Sequence, residues 1–287
     1  KKELFWYNNS MEKTIGKLFN SSSSGEKGHA VKKLIDQSTP NMDFFLMVIL
    51  SVAMASFGLL LNNAAIVIGA MLIAPVLSPI LSLAMGIVMF NESLIRRAVL
   101  TLGKSLLFAI GAAFVIGLLF GTKEGLIVPE VLARTTPNLL DAAVAVVAGF
   151  AASFALIKPK LSETIPGIAI SVSLVPPLAV TGLGLATFNL AIAKGAFLLF
   201  LINILGIIFA AVFVFSSMNL YTKRGTAERA IKDADDAEEE KVVIIEEETE
   251  KAKPLNKDPE AAQDELEDSI EEVAAGEEEV IEKTSEI

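Results

Sequence analysis

Two short clusters in this 287-residue chain join proline to hydroxyl side chains inside apolar surroundings. In the first, Pro75 and Pro79 bracket Ser78, with Ser82 one helical turn on. In the second, Ser171 and Ser173 precede Pro176-Pro177, and Thr181 follows. Proline within an apolar helix removes a backbone hydrogen bond and frees a carbonyl. In lipid that carbonyl needs a hydroxyl, a neighbouring helix or water. Carbonyls, hydroxyls and helix ends gathered at one place suit a small cation, a neutral polar solute, or an anion held by helix N-termini. Asn203, the one amide well inside an apolar run, joins this candidate substrate-binding set, as a helix bridge or as a ligand.

Other chemistry is sparse. The chain has no cysteine, which excludes disulfides, thiolate metal sites and cysteine nucleophiles. His29 is the only histidine, which removes His-based metal sites and Ser-His-Asp triads. No acid–base pair or metal cluster is evident, so no enzyme, cofactor or metal is expected. Nothing resembles a nucleotide-binding P-loop. Asp43 and Asp141 each stand at the start of an apolar run, placed to cap a helix or to gate a path. Lys104 lies about 10 Å along a helix from Arg97, and is expected to snorkel to the surface.

Positioning these groups falls to six apolar runs, residues 44–61, 64–90, 98–121, 142–157, 164–188 and 196–218. A bilayer core about 30 Å thick takes roughly 20 residues of helix. The expected fold is therefore all-α, a polytopic membrane bundle of six spans with both proline clusters near mid-membrane. With the N-terminus in the cytoplasm, nine Lys/Arg near span ends fall inside and three outside. That bias predicts a multi-pass cell-membrane protein with both termini cytoplasmic. The bases flank apolar runs rather than forming a patch interleaved with aromatics, so no nucleic acid is expected.

A shift of 98 residues superposes the first three runs on the last three without a gap. Asp43 meets Asp141, Gly69 meets Gly167, Pro79 meets Pro177 and Gly86 meets Gly184. Phe90-Asn91 meets Phe188-Asn189, and Thr39-Pro40-Asn41 recurs as Thr136-Pro137-Asn138, one residue out of register. Such residues fix turns and helix breaks, so their recurrence carries more weight than matched apolar residues. Three crossings per half require the second half to enter from the opposite side, giving an inverted 3+3 repeat with two proline-broken helices.

The stretch Ile68-Gly-Ala-Met-Leu-Ile-Ala-Pro-Val-Leu-Ser-Pro79, the pair Arg96-Arg97, Ala133-Arg-Thr-Thr-Pro-Asn-Leu-Leu-Asp141 and Val175-Pro-Pro-Leu-Ala-Val-Thr-Gly-Leu-Gly184 together resemble a known family. It is the family of prokaryotic hydrophobic membrane proteins called domain of unknown function 389. The resemblance spans roughly residues 43–221. It implies a bacterial or archaeal membrane protein and brings no established activity.

Charge separates the remainder. Residues 226–287 hold 24 Asp/Glu and 7 Lys/Arg, whereas the first 225 carry a net charge of +7. An acidic block of this kind cannot bury a core and reads as disordered. The expected organisation is a polar N-terminal cytoplasmic segment (1–42), repeat one (43–121), an outer connecting loop (122–140), repeat two (141–221) and an acidic cytoplasmic tail (222–287). Within the first segment the Ser21–Ser24 run reads as a flexible linker. The outer loop has room for one short surface helix. The expected function is a secondary transporter or channel for a small ion or polar solute, with its path between the repeats. The alternative is a non-transporting scaffold or sensor whose acidic tail recruits a partner. Expected partners are the lipid bilayer and the solute, and small-residue helix faces would also allow homo-oligomers.

Overall fold

The computed structural model describes residues 23–39, 41–158, 161 and 174–236. Every regular element among them is helical. The helices are α1 (Ser24–Ser38), α2 (Met42–Leu60), α3 (Ala64–Ile73), α4 (Leu77–Met89), α5 (Glu92–Phe120), α6 (Pro129–Leu132), α7 (Leu139–Ile157), α8 (Val175–Ala186) and α9 (Leu190–Ser217). A 3₁₀ turn at Leu220–Lys223 then leads into α10, helical over residues 224–236.

Four helices, α2, α5, α7 and α9, are long and apolar enough to cross a membrane. The pair α3 and α4 meets the same test jointly and is bent by 50° at the break between them. Of the run 164–188 the structure describes α8, and Ser171 and Ser173 lie outside the described residues. Large apolar side chains such as Leu46, Leu107, Leu118, Val147 and Phe209 are exposed on the four long helices. So much outward apolar surface suits lipid rather than water.

The helices α5 and α9 start well before the apolar runs 98–121 and 196–218. Asparagine caps, not hydropathy, set where they begin. Asn91 accepts from the Leu94 N–H at 2.9 Å and Asn189 from the Ile192 N–H at 3.3 Å. Each follows a phenylalanine in the left-handed region, Phe90 at φ 50° and Phe188 at φ 56°. The Asn91 N–H donates back to the Gly86 carbonyl and the Asn189 N–H to the Gly184 carbonyl. This closes the preceding helix by a Schellman-type bond. A side chain on Gly86 would meet the Ile95 backbone nitrogen at 3.1 Å, and one on Gly184 the Ala193 backbone nitrogen at 2.9 Å. Glycine therefore lets the next helix turn back against its predecessor. The turn between α2 and α3 uses the same design, with Gly58, a left-handed Asn62 and the cap Asn63. A matched spacing of punctuation residues in the sequence has become one hairpin geometry used three times.

The prolines start helices rather than kink them. Ala74 is extended at ψ 123° ahead of Pro75, as residues before proline tend to be. Pro79 occupies the first turn of α4, and Pro176-Pro177 the first turn of α8. First-turn N–H groups have no partner inside their own helix, so proline costs little there. The carbonyls that need satisfying belong to the helix before the break. The Ser51 hydroxyl of α2 donates to one of them, Ala70 O, at 2.7 Å.

Helices α4 and α8 share the same two neighbours, each lying against both α5 and α9. The α5–α8 crossing is close, because a Cβ on Gly182 would stand 2.7 Å from the Ile110 carbonyl oxygen. At one end of the body the outer loop covers the hairpins. Its α6 is the short helix expected there, and the Glu130 N–H donates to Asn62 Oδ1 at 3.2 Å. Thr135 O abuts Gly195 at the start of α9. At the other end gather α1, Arg97, the 3₁₀ turn and α10.

The segment α1 departs from the linker expectation. Ser23 and Glu26 form a capping box, with the Glu26 N–H donating to Ser23 Oγ and the Ser23 N–H to Glu26 Oε2. The two serines of the run that are described, Ser23 and Ser24, therefore open a helix. Its stripe of Lys27, Ala30, Val31, Leu34, Ile35 and Ser38 is buried. The face packs on α4 and the 3₁₀ turn.

Candidate functional site

The first proline cluster is polar and shared between helices. Ser82 is fully buried in α4, and its Oγ accepts from the Ser38 hydroxyl of α1 at 3.2 Å. One turn toward the break, the Ser78 hydroxyl makes a long 3.5 Å bond to Gln37 Oε1. The last residue of this corner, Thr39, caps α1 and accepts from Arg97 Nη2 at 3.3 Å. The single Ser38 proton is shared between Ser82 and the Ile35 carbonyl at 3.1 Å, and Thr39 donates to that same carbonyl at 2.9 Å, which ties both to the last turn of α1.

Helix α5 packs beside α4. Gly86 of α4 touches Ile95 of α5, and the two helices diverge from the same turn. Six residues along each, about 9 Å at the helical rise, bring Ile80 level with Thr101. Thr101 thus stands at the height of Ser78 and Ser82. It is fully buried and its hydroxyl has no hydrogen-bond partner among the described residues. Most threonines in helices satisfy that hydroxyl on the carbonyl four residues back, as Thr181 and Thr187 do here. A buried polar atom without a partner marks strain or a place where water or a solute binds. Gln37, Ser38, Thr39 and Arg97 were not among the expected site residues, yet they complete this corner.

The second cluster is arranged differently. Thr181 Oγ1 donates to Pro177 O at 2.7 Å, within its own helix. At the positions 98 residues after Ser78, Ser82, Arg97 and Thr101 stand Pro176, Val180, Gly195 and Leu199. Asn203 is buried on α9 and has a partner. Pro75 lies in the break itself, while Pro79, Pro176 and Pro177 are buried in helix first turns. No hydrogen bond among the described residues links Ser78 or Ser82 to Thr181.

The two aspartates also differ. Asp141 completes a capping box, its Oδ2 accepting from the Asn138 N–H at 2.9 Å. Asp43 is exposed in the first turn of α2, where Asn41 does the capping instead. Lys104 is exposed on α5. No group of three or more His, Asp or Glu able to hold a metal occurs among the described residues.

The family described as Domain of unknown function (DUF389) matches residues 71–209. That stretch runs from the end of α3 to the middle of α9, and contains both proline clusters. An uncharacterised protein of the archaeon Methanocaldococcus jannaschii is 31% identical over 175 residues, covering 61% of this chain and 54% of that protein. The chain thus spans about half the length of that relative. No solved structure matches.

Proposed function

We propose that this chain, whose residues 71–209 carry the domain of unknown function 389, conducts a small ion or polar solute across the cell membrane. The observation that carries this reading is the polar corner of Ser38, Ser78 and Ser82 at a helix break, beside a helix that buries the unpartnered Thr101 hydroxyl. In an otherwise apolar body, buried hydroxyls are costly unless satisfied. Here Ser38 and Ser82 bond between separate helices, and the Thr101 hydroxyl has no partner among the described residues. Bonds between helices can part when helices move, whereas the bond of Thr181 to its own helix cannot open a path. The solute is a small cation or a neutral polar molecule held by hydroxyls and carbonyls, or an anion drawn to the first turn of α4.

The path runs between two inverted three-span halves, with both termini cytoplasmic. Support comes from the repeated hairpin at Phe90-Asn91 and Phe188-Asn189 and from the reciprocal packing of α4 on α9 and α8 on α5. Contacts at the two ends support the topology too. The turn at Asn62, the outer loop and the start of α9 meet at one end, and Thr39, Arg97 and Lys223 gather at the other. That second end, rich in Lys and Arg, faces the cytoplasm.

Purified protein in liposomes tests this. Flux of Na⁺, K⁺, Cl⁻ and inorganic phosphate, and osmotic shrinkage with glycerol, should reveal passage of at least one probe above protein-free vesicles. Ser78→Ala and Thr101→Val should change its rate without lowering the amount inserted. Unaltered flux in both variants would remove the site. A scaffold reading is favoured by one observation, the docking of α10 through buried Ala227, Ala230 and Ile231 immediately before the acidic tail. It predicts no flux for any probe, and loss of cellular phenotype on removing residues 237–287.

A further inference from the structure

We infer that α1 is the cytoplasmic gate of the Ser78–Ser82 site, a regulation that rests on the transport reading above. Three observations converge on this helix. It lies outside the region matched to the family, yet its Ser38 hydroxyl hydrogen-bonds to fully buried Ser82. Its C-terminal residues Gln37, Ser38 and Thr39 reach Ser78, Ser82 and Arg97 respectively, so the end of α1 closes the polar corner from the side of the 3₁₀ turn. Its N-terminal end is tied elsewhere, by the Lys223 ammonium donating to Ser24 Oγ, and lies beside α10, where a Cβ on Gly28 would stand 4.0 Å from Thr226 Cγ2.

These attachments give α1 the properties of a lever. Its hold on the body consists of a short apolar stripe and single hydrogen bonds. No ion pair among the described residues fixes it. It joins the segment that leaves α9 to the broken span of the first half. A shift of α9 relative to α4 would pull on Ser24 through Lys223 and lift Ser38 from Ser82. The chain repeats this plan at the other end. Counting 98 residues on from α1 leads to 122–136, the outer loop, which likewise precedes a Thr-Pro-Asn sequence and covers a hairpin. Each half therefore carries a covering segment ahead of its first span, and α1 is the one that bonds directly to site hydroxyls.

The chain contains no cysteine, so introduced cysteines report cleanly. Gly28→Cys with Thr226→Cys clamps α1 at its far end, away from the site, when treated with a one-carbon bis-methanethiosulfonate. Before treatment the double variant should pass the Na⁺, K⁺, Cl⁻, phosphate or glycerol probe at the wild-type rate. Cross-linking should reduce that rate at least tenfold, and dithiothreitol should restore it. A second arm needs no flux. Ser82→Cys in otherwise unaltered proteoliposomes should react slowly with a water-soluble methanethiosulfonate, and several-fold faster when Thr39→Val or Ser24→Ala weakens a latch. Cross-linking that leaves flux intact overturns the gate, as does equal labelling of Ser82→Cys with and without the latches. If no probe passes, the transport reading fails, and the labelling arm alone decides whether α1 opens.

Discussion

Helices α4 and α8 are built on one backbone plan and filled with different chemistry. Each begins with proline in its first turn, ends at a left-handed phenylalanine, hands over to an asparagine cap and leans on the last helix of both halves. On α4 the side chains are hydroxyls bonded outward to α1. On α8 they are Gly182 packed into α5, Gly184 packed against α9, and a threonine bonded to its own helix. The turns that fix the two helices are alike while the side chains they carry differ. The geometry suits α8 to serve as the tight bearing and α4 to line the opening.

Substitutions can break that contrast, and the largest effect should come from the bearing. Gly182→Val would drive a side chain into the Ile110 carbonyl and the Phe114 nitrogen, which cannot move independently. We expect a loss of about 3 kcal/mol or failure to fold, read as a collapsed thermal transition in detergent. The matching position in α4 is Ala84, already fully buried with a side chain. Ala84→Gly should cost only about 1 kcal/mol, mainly through helix propensity. Equal effects at the two positions would erase the distinction.

Next in size is the broken end of α3. Ser51→Ala leaves the Ala70 carbonyl without its 2.7 Å donor, and should cost about 1–3 kcal/mol in the same melt. The shared frame predicts a smaller and symmetric pair. Asn91→Ala and Asn189→Ala each remove one N-cap, for about 1 kcal/mol apiece. Unequal costs would show that the two hairpins bear different loads. Smallest in stability is Thr101→Val, within about 0.5 kcal/mol of wild type, because the hydroxyl it removes has no partner to strand. Its effect should appear in flux instead.

Much of this architecture is legible in the sequence because lipid and backbone geometry each leave a strong imprint. The runs behind α2, α5, α7 and α9 stand out because lipid-facing surfaces tolerate few polar side chains. The three hairpins are marked by glycine and asparagine at fixed spacing, since a left-handed turn and a close helix approach accept few alternatives. Ser78 and Ser82 were marked by the prolines beside them. Their partners were not, because Gln37 and Ser38 lie about forty residues away and contacts across that distance leave no local pattern. The helix α1 did leave a trace, the Ser23/Glu26 box followed by apolar residues at 30, 31, 34 and 35. A serine run beside it reads as linker, and its apolar stripe is short. The inward turn of the Thr181 hydroxyl has no sequence signal, since threonine in a helix can point either way.

The contrast between α4 and α8 is tested most directly by comparing Ser82→Val with Thr181→Val in one liposome flux assay. Both remove a buried hydroxyl from equivalent helices, and both keep a side chain of suitable bulk. The account predicts that Ser82→Val lowers passage of the conducted probe at least tenfold, while Thr181→Val stays within about twofold of wild type. Equal loss in both, or a loss confined to Thr181→Val, would contradict it.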